Sequence, residues 1–578
     1  MHKTLPAYLL ILFWLLQVPA LMGQDAVLQF EHPVLNAIER AEDSGFLTAD
    51  ESLLQRIYTF HAPHLLRDEF AGTESPILRC FAPVMMEFER RRGELNPQTI
   101  HEIETLIHPQ TSAATQQHIS PSGKFILYYE TDGTHAVPLD DTNNSGVPDY
   151  IEKAAFAADS SWNYQVGKLG FVDPVLPATP YEIFFRNFQF YGTTTSSMGT
   201  TYITIHSNFN GFPANDHPEG NRIGALYVTI AHELKHAIQY ATNLWRGEAG
   251  SFNWSEMDAT MMEETTFDDV NDYYNYIVSS NSIFRNPQVA TPRAYWHVTW
   301  KLYFAEVFGM EFWVDVWERF ITDNFKPFRT AMQETLDLSG DSLPLEHIKN
   351  HMWHMASGSE FSALNFGFEE REFYPNSTFD HSFVSVPDSL TGERTIPRYG
   401  ARYNRVESQP GEEGNPRITL RYTAAGTDIG LVGYHTNGTA STFIRTTTTD
   451  DDSLVVVAPW SWSDLTRVGI AVVNNGETAS SYMLKVDSEL PEALFLAQNY
   501  PNPFNPSTRI DFVLPERSNV KLQVYDITGR LIATLADREY AQGNHTVTFT
   551  AQNLASGVYF YRLITSRGTI SKKMVLVK

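Results

Sequence analysis

The residues that could do chemistry in this chain are concentrated in one short stretch, TIAHELKHAIQY, at residues 229–240. His232 and His236 are four residues apart, so on a helix both imidazoles lie on one face and can bind one ion at about 2.0–2.1 Å. Glu233 follows the first histidine directly, where its carboxylate can take a proton from a metal-bound water. The pattern predicts a zinc site with a general base; a helix carrying two unrelated histidines is the alternative.

A third metal ligand is expected in the stretch NWSEMDATMMEETTFDD, where Glu256 is the candidate. Two histidines and one carboxylate leave a fourth position open to water, as a catalytic zinc requires. Glu263 and Glu264 compete for the ligand role, and Glu263 could instead support a ligand because it shares a helix face with Glu256. The sequence therefore predicts a zinc centre of His232, His236 and Glu256.

An oxyanion formed during hydrolysis needs a further hydrogen-bond donor. Tyr295 and His297, in PRAYWHVTW, are the candidates for this role. Packing within an aromatic-rich helix is the alternative for both, and the sequence favours it.

A second metal site is predicted in the loop DTNNSGVPDYIE, which matches the twelve-residue EF-hand pattern with Gly146 at its sharp turn. Because only one helix follows the loop and none clearly precedes it, we expect a structural calcium ion rather than a sensor. An Asx-rich turn in which Asp149 caps the helix is the alternative. The expected calcium ligands are Asp141, Asn143, Ser145, Val147 (through its carbonyl), Asp149 and Glu152.

Cys80 is the only cysteine of the chain, so no intramolecular disulfide can form and a cysteine-rich zinc site is excluded. Its thiolate could fill the open zinc position and hold an enzyme latent. The surrounding LRCFAPVM matches no such switch motif closely, and free cysteines are commonly just buried. A buried cysteine is therefore the favoured interpretation.

The overall charge limits the partners. The 578 residues carry 42 Lys and Arg against 68 Asp and Glu, a net charge of −26, which argues against nucleic acid or anionic lipid as a main partner. Residues 1–23 read as a secretory signal, with Lys3 before an apolar run too short to span a bilayer. No later stretch reaches transmembrane length, so we expect an exported protein without a membrane span after signal removal.

The elements that must position these residues fall into successive segments. After the signal, residues 24–118 show helical patterns, including a Thr48–Glu51 capping box and Asn96–Pro97 at a helix start. Residues 119–370 alternate short strands with aromatic helices and contain both metal motifs. Residues 371–490 and 491–578 consist of strand-length runs cut by turn residues, which favours two β-sandwich domains.

The zinc motif carries a family resemblance. His232, Glu233, His236 and Glu256 resemble the gluzincin metallopeptidases, and the order of SPSGKFILYYETDGTHAVP, GVPDYIE and the two helices resembles a family of secreted bacterial metalloproteases. The resemblance implies a zincin fold whose edge strand pairs with an extended peptide, for which Thr200–Ser207 is the candidate. Thermolysin-like enzymes have an Asp four residues after the ligand Glu, whereas Thr260 stands here, so the residue that orients a ligand His stays unassigned.

The tail carries a second resemblance. NYPNPFNPSTRI, VYDITGR, LASGVYFYRL and the terminal KKMVLVK resemble the C-terminal sorting domain of the type IX secretion system. This resemblance implies the type IX machinery as a partner and a location outside, or on the outer surface of, a Gram-negative bacterium.

Together these features predict a multidomain α+β protein: a helical pro-region, a zincin-like α+β catalytic domain, a β-sandwich accessory domain and a small C-terminal β-sandwich sorting domain. The predicted function is a secreted zinc-dependent endopeptidase that acts on protein or peptide substrates, with Glu233 as general base. The alternative is a cell-surface adhesin with a structural or degenerate metal site. Retention of Glu233 favours the enzyme, because a purely structural site has no use for a base.

Overall fold

The computed structural model describes residues 32–71, 77–108, 111, 115–176, 179–197, 199–288, 293–390, 392–447, 451–490, 493–551 and 554–577. The predicted signal at 1–23 lies outside these residues. Within them, no helix combines the length and the apolar character needed to cross a bilayer. The chain divides into two compact units, one from Met1–Leu78 with Leu95–His108 and the other from Arg79–Glu94 with Pro109–Lys578.

Helices are concentrated in the N-terminal two thirds of the chain and strands in the C-terminal third. The helices are α1 (Pro33–Asp43), α2 (Ala49–His61), α3 (Ala82–Arg91), α4 (Pro97–Ile107), α5 (Asp149–Trp162), α6 (Asn221–Asn243), α7 (Phe252–Thr266), α8 (Tyr274–Ile277), α9 (Val298–Phe308), α10 (Glu311–Thr322), α11 (Phe328–Ser339) and α12 (Leu343–Met355).

The strands of the first half form one sheet, and all later strands belong to the two C-terminal regions. They are β1 (Leu78–Cys80), β2 (Thr115–Ile119), β3 (Phe125–Glu130), β4 (Tyr181–Arg186), β5 (Phe190–Ser197), β6 (Thr200–His206), β7 (His381–Phe383), β8 (Asp388–Ser389), β9 (Arg394–Ile396), β10 (Ala401–Glu407), β11 (Asn415–Tyr422), β12 (Thr427–His435), β13 (Ala440–Arg445), β14 (Ser453–Val457), β15 (Leu465–Asn474), β16 (Ser480–Glu489), β17 (Phe495–Leu496), β18 (Ser507–Leu514), β19 (Ser518–Asp526), β20 (Leu531–Tyr540), β21 (Gly543–Thr550), β22 (Gly557–Thr565) and β23 (Gly568–Leu576).

The first unit contains α1, α2 and α4. The predicted capping box is confirmed, because the Glu51 N–H donates to Thr48 Oγ1 while the Thr48 N–H donates to Glu51 Oε2 at 2.9 Å. Asn96 precedes α4 as its N-cap residue, but its side chain makes no capping bond. Of the predicted pro-region, Arg79–Glu94 belongs to the second unit.

A six-stranded sheet with the order β1-β5-β6-β4-β3-β2 begins the second unit. Strand β3 alternates buried and half-buried residues, whereas β6 is almost wholly buried because both of its faces are covered. Strands β3, β4 and β6 run parallel, while β5 is antiparallel to β6. The prediction of Thr200–Ser207 as the edge strand is wrong: β6 lies between β5 and β4, and local sequence pattern does not encode strand order.

Helix α6 packs on β5 and β6, and α7 packs on α6, in a core that includes Trp254, Trp300, Trp313 and Trp317. The aromatic-rich segment that contains PRAYWHVTW forms a short 3-10 turn, Ala294–His297, followed by helix α9. Gly309 ends it with φ +82°, a backbone conformation that favours glycine.

The C-terminal β regions have the predicted organisation. Residues from His381 to Glu489 form two five-stranded sheets around a shared apolar core, with β9 joining the second sheet through β16. The tail forms a three-stranded and a four-stranded sheet around a second core. In β19 the alternating Val520, Leu522 and Val524 are all buried, as expected for a strand with one face toward a core. The predicted α+β class with a C-terminal β-sandwich is confirmed.

Candidate metal centre

Helix α6 brings its two histidines together as their spacing predicts. His232 and His236 lie one turn apart, and their Nε2 atoms are 3.1 Å from each other. Both side chains are almost completely buried because α6 packs on β5 and β6 on one side and on α5 and α7 on others. Two imidazole nitrogens this close to each other can both bind a single ion.

Helix α7 supplies the predicted carboxylate. Glu256 is fully buried, its Oε2 lies 3.1 Å from His232 Nε2, and its Oε1 lies 3.1 Å from His236 Nε2. Glu256 Oε1 has no hydrogen-bond partner, which is costly for a buried carboxylate oxygen. The predicted set of two nitrogens and one carboxylate therefore converges, and its donor types fit a zinc ion.

Cys80 joins this cluster from β1. Its Sγ and one ligand atom from each of His232, His236 and Glu256 all lie within 4.8 Å of one another, and all four residues are buried. The favoured expectation of a buried cysteine is thus correct as to burial, but the thiol lies beside the predicted metal ligands. Its contact with α6 spans a long sequence separation, which local pattern cannot reveal.

The two ligand histidines are oriented by residues that lie behind them. Gln239 Nε2 donates to the Ser255 carbonyl at 3.0 Å, which turns Gln239 Oε1 toward His236 Nδ1 at 2.8 Å. Glu263 Oε1 lies 2.6 Å from His232 Nδ1. Because both oxygens only accept, each Nδ1 donates its proton and leaves Nε2 available for a metal.

Glu263 thus lies behind His232, where it would orient this histidine rather than act as the carboxylate ligand. Its rival Glu264 is not in the group of close ligand atoms, and its pKa is raised to about 10 by burial and then by the neighbouring carboxylates Glu370 and Asp268. Thr260 donates to the Glu256 backbone carbonyl at 2.8 Å, and Asp258 pairs with Lys301. The orienting role expected near position 260 is thus taken by Glu263, one helical turn further on.

The side chain of Glu233 extends from α6 to β5. Its Oε2 accepts from Thr194 Oγ1 at 2.8 Å, and its Oε1 lies 3.2 Å from Cys80 Sγ. Gly192 permits this close approach, because a Cβ there would lie 2.7 Å from Thr229 Cγ2 and 3.0 Å from Glu233 Oε1. Burial raises the pKa of Glu233, although His236 and His232 oppose the shift.

The charges of the centre favour a cation. Burial alone would lower the pKa of His232, but hydrogen bonds to Glu256 and Glu263 outweigh it and raise this pKa to about 10. Burial alone would raise the pKa of Glu256, but the charge of His236 and the hydrogen bond to His232 outweigh it and lower this pKa to about 2. Without a metal the carboxylates favour a proton on His232, and a divalent cation would be attracted to the same position.

The structure separates the two proposed oxyanion donors. The Tyr295 ring lies 6.4 Å from the His232 ring, and burial, followed by the charges of Glu256 and Cys80, raises its pKa well above the usual value. The pKa of His297 is lowered to about 3 by burial and then by the charges of Arg293 and His354. Tyr295 therefore borders the metal centre, whereas the charges that act on His297 come from other residues.

The predicted calcium loop is closed by its own side chains. Asp141 accepts from the N–H groups of Ser145 and Gly146 at 3.0 and 2.9 Å, and Gly146 has φ +86°. Asn143 Nδ2 donates to Glu152 Oε2 at 2.7 Å, across the loop. Helix α5 begins at Asp149, as the motif requires. Asp149 makes no capping bond within α5 and instead accepts from the Thr142 N–H at 3.1 Å.

Helix α12 carries a second buried histidine group, which our sequence analysis did not consider. His347 and His351 are also four residues apart, with their Nε2 atoms 3.0 Å from each other. His351 Nδ1 lies 2.8 Å from the Tyr403 hydroxyl, and His347 Nδ1 lies 2.9 Å from Asn475 Oδ1. Among the described residues, Cys80, His232, His236 and Glu256 form the one group of three or more His, Cys, Asp or Glu side chains whose ligand atoms lie close enough to share an ion, and the α12 histidines do not belong to such a group.

Residues 498–578 match the protein family described as "Secretion system C-terminal sorting domain". The predicted 491–578 domain contains this match. No curated protein matches the chain. The sorting domain indicates that the protein is secreted or held at the outer cell surface, and it implies the type IX secretion machinery as a partner.

Solved structures give only distant similarities. PorZ, an essential surface component of the type IX secretion system of Porphyromonas gingivalis, is 18% identical over 17% of this chain and 14% of its own, with a TM-score of 0.12. A beta-1,2-glucanase from Parabacteroides distasonis is 11% identical over 32% of each chain, with a TM-score of 0.14. The aligned parts thus cover less than two thirds of either of these proteins.

Proposed function

We propose that this protein is a secreted zinc-dependent endopeptidase. The observation that carries the proposal is the convergence of His232 Nε2, His236 Nε2 and the Glu256 carboxylate, each 3.1 Å from the next, with Glu233 beside them on the sheet side of α6. The resemblance to gluzincins in the same four residues supports it.

The division of roles follows from the contacts. A zinc ion held by His232, His236 and Glu256 would supply Lewis acidity and lower the pKa of a water toward about 7. Glu233 would accept a proton from that water and return it to the leaving amine, which is the work of a general base and acid. Thr194 fixes the carboxylate through Oε2, so that Oε1 faces the ligand side chains. Tyr295, buried beside His232, is our candidate donor to the oxyanion.

The substrate would be an extended peptide. Strand β5 runs antiparallel to β6. Its residues Thr194 and Gly192 contact Glu233 of α6. The other edge of β5 pairs with the short β1, and an extended peptide that took the place of β1 would pair with the same backbone groups, which gives affinity independent of side-chain sequence. This assignment replaces β6 as the peptide-binding strand.

We further propose that the loop from Asp141 to Glu152 holds a structural calcium ion. Its turn at Gly146 and the closeness of Asn143 to Glu152 support the proposal, since an EF-hand loop brings these two positions to one ion, which would take the place of the hydrogen bond between them. Without disulfides, an exported chain gains stability from such a site. Calcium should raise the melting temperature of the intact protein, and Asp141→Ala should remove the increase without changing zinc content.

The endopeptidase proposal is tested with a quenched-fluorescent peptide library. The zinc-loaded intact protein, a Cys80→Ala variant and a Glu233→Gln variant are assayed side by side, with and without a chelator. We expect hydrolysis that the chelator and Glu233→Gln abolish while Glu233→Gln keeps its zinc. Bound zinc without cleavage of any peptide by the intact protein or Cys80→Ala would overturn the proposal and favour an adhesin.

A further inference from the structure

We propose that Cys80 is a fourth ligand of the metal centre and that residues 79–94 fill the peptide-binding groove along β5, so that the intact chain is latent. The ligation concerns the metal centre alone, whereas the latency rests on the proposed endopeptidase function. Three independent sets of contacts support the assignment.

The first is the position of the sulfur. Cys80 Sγ completes a buried set of four ligand atoms within 4.8 Å, where the other three leave one position open. Glu256 Oε1 in the same cluster is buried without a hydrogen-bond partner, which a shared cation would correct. The Ala82 N–H donates to Cys80 Sγ at 3.3 Å, while the thiol itself donates to Glu233 Oε1 at 3.2 Å, so a bound cation would take the place of the thiol proton.

The second is the pairing of the backbone. Strand β1 lies next to β5 in the sheet, and the Phe81 N–H donates to the Gly192 carbonyl at 3.1 Å. Gly192 is also the residue that packs on Glu233. The segment thus uses β5 as an extended substrate would, at the position of the general base.

The third is the anchoring on both sides of Cys80. The Arg79 guanidinium is buried, pairs with Glu263 and lies 2.7 Å from Asp272. Phe81 stacks on Phe190 with ring centroids 5.4 Å apart. These contacts hold the segment next to the residues that line the centre.

Helix α3 contacts the two elements on either side of the proposed groove, strand β5 and helix α7. Ser196 Oγ on β5 donates to Glu89 at 2.6 Å, and Ser255 Oγ on α7 lies 3.5 Å from Met86 Sδ. A peptide could reach Glu233 only after this segment is displaced. The inhibitory element is therefore Arg79–Glu94, whereas Met1–Leu78 and Leu95–His108 form the other compact unit.

The ligation is tested by cobalt substitution of the intact protein, because a thiolate bound to Co²⁺ gives a near-ultraviolet charge-transfer band. Wild type and Glu233→Gln should both show the band. Cys80→Ser should bind cobalt without it, and His236→Ala should bind little cobalt. Since Cys80 is the only cysteine, alkylation reports on this thiol alone and should slow when zinc is added.

The outcomes separate the two proposals. Cobalt bound by wild type without the band, or zinc-independent alkylation, overturns the ligation and leaves the endopeptidase proposal standing. No bound cobalt in any protein overturns both. The wild-type spectrum alone decides the ligation, even if Cys80 variants fold poorly.

The latency is tested by the peptide assay. Cys80→Ala should hydrolyse peptide at least about tenfold faster than the intact protein, the change expected when nine tenths or more of the chains are closed. Cys80→Asp, which keeps an anionic ligand at this position, serves as the matched control and should remain closer to wild type. Equal rates for wild type and Cys80→Ala, with the cobalt band present, would overturn the latency.

Discussion

Helices α6 and α12 each carry a pair of buried histidines with the same spacing and nearly the same geometry. The Nε2 atoms are 3.1 Å apart for His232 and His236 and 3.0 Å apart for His347 and His351. All four side chains are buried. Geometry within the helix therefore does not distinguish the two pairs.

The two pairs differ in the residues that face them. Glu256 and Glu263 outweigh the effect of burial and raise the pKa of His232 to about 10. Around the other pair, burial and then Arg329 lower the pKa of His347 to about 3, and the ring contacts described there are to the neutral Asn475 and Tyr403. Carboxylates from a second helix thus distinguish a histidine pair that could hold a cation from one whose ring contacts are to neutral side chains.

The largest expected effect on zinc binding comes from removing the Glu256 carboxylate that faces the α6 histidines. Glu256→Gln should abolish peptide hydrolysis and weaken zinc binding by roughly a hundredfold or more, as four zinc ligands share about 10–16 kcal/mol. His236→Ala should lose the metal in the same way. Zinc content after dialysis and competition with a chromophoric chelator measure the effect. His351→Gln is the control, and a similar zinc loss in that variant would contradict the contrast between the helices.

The next effect separates binding from chemistry. Glu233→Gln should keep zinc and lose roughly 10²–10⁴ in turnover, because the amide cannot accept the water proton. Metal analysis and peptide hydrolysis on the same sample check this. A Glu233→Gln enzyme with undiminished turnover would disprove the base assignment.

A smaller effect is expected behind the ligands. Gln239→Leu removes the acceptor that orients His236 Nδ1, and should weaken zinc binding by about 10–100-fold. Asn475→Leu removes the corresponding contact to His347 and should leave zinc affinity unchanged. Equal affinities in the two variants would show that Gln239 does not support the ligand.

The α12 pair should instead appear in the pH dependence of stability. His347 is neutral in the folded protein, with a pKa of about 3, whereas an unfolded histidine titrates near 6.5. The contribution of neutral His347 to the free energy of unfolding is full above about pH 6.5. It is lost as the pH falls toward 3, and the loss is about 2 kcal/mol by pH 5. Melting curves at pH 7.5 and 5 should show a smaller acid loss for His347→Gln, and an unchanged loss would contradict this prediction.

The smallest expected effect is a local loss of stability on α12. Tyr403→Phe leaves the buried His351 Nδ1 without its partner and should cost about 1–3 kcal/mol. Zinc affinity and turnover should not change, which distinguishes this region from the metal centre. Urea unfolding and zinc titration of the same variant provide the two measurements.

Much of the metal centre could be predicted from sequence, because helical periodicity fixes how His232, Glu233 and His236 face. Glu256 was predictable from residue type and from resemblance. The starts of α2 and α4 followed from the Thr48–Glu51 capping box and from Asn96–Pro97, and the C-terminal strands followed from strand-length runs cut by turn residues. Gln239 could have been found, since it follows His236 by three residues and so lies on its side of α6.

Cys80 and the position of β5 could not be predicted in this way. Both depend on which strands become neighbours, and contacts between residues 80 and 233 or the order β1-β5-β6 leave no mark on local periodicity. The pair on α12 illustrates the opposite error, since its spacing alone would have suggested a metal site that its neighbours do not support.

Because Gly192 has no side chain, β5 and α6 pack closely together at Glu233, the proposed general base. An alanine there would place a methyl carbon against Thr229 and Glu233, so the helix or the strand would have to retreat. The three candidate ligands His232, His236 and Glu256 all come from helices α6 and α7 and would keep their mutual distances. If the protein acts as proposed, such a variant would still bind the metal while the Glu233 carboxylate lost its alignment with it, so the single hydrogen atom at position 192 would be what couples the metal to catalysis.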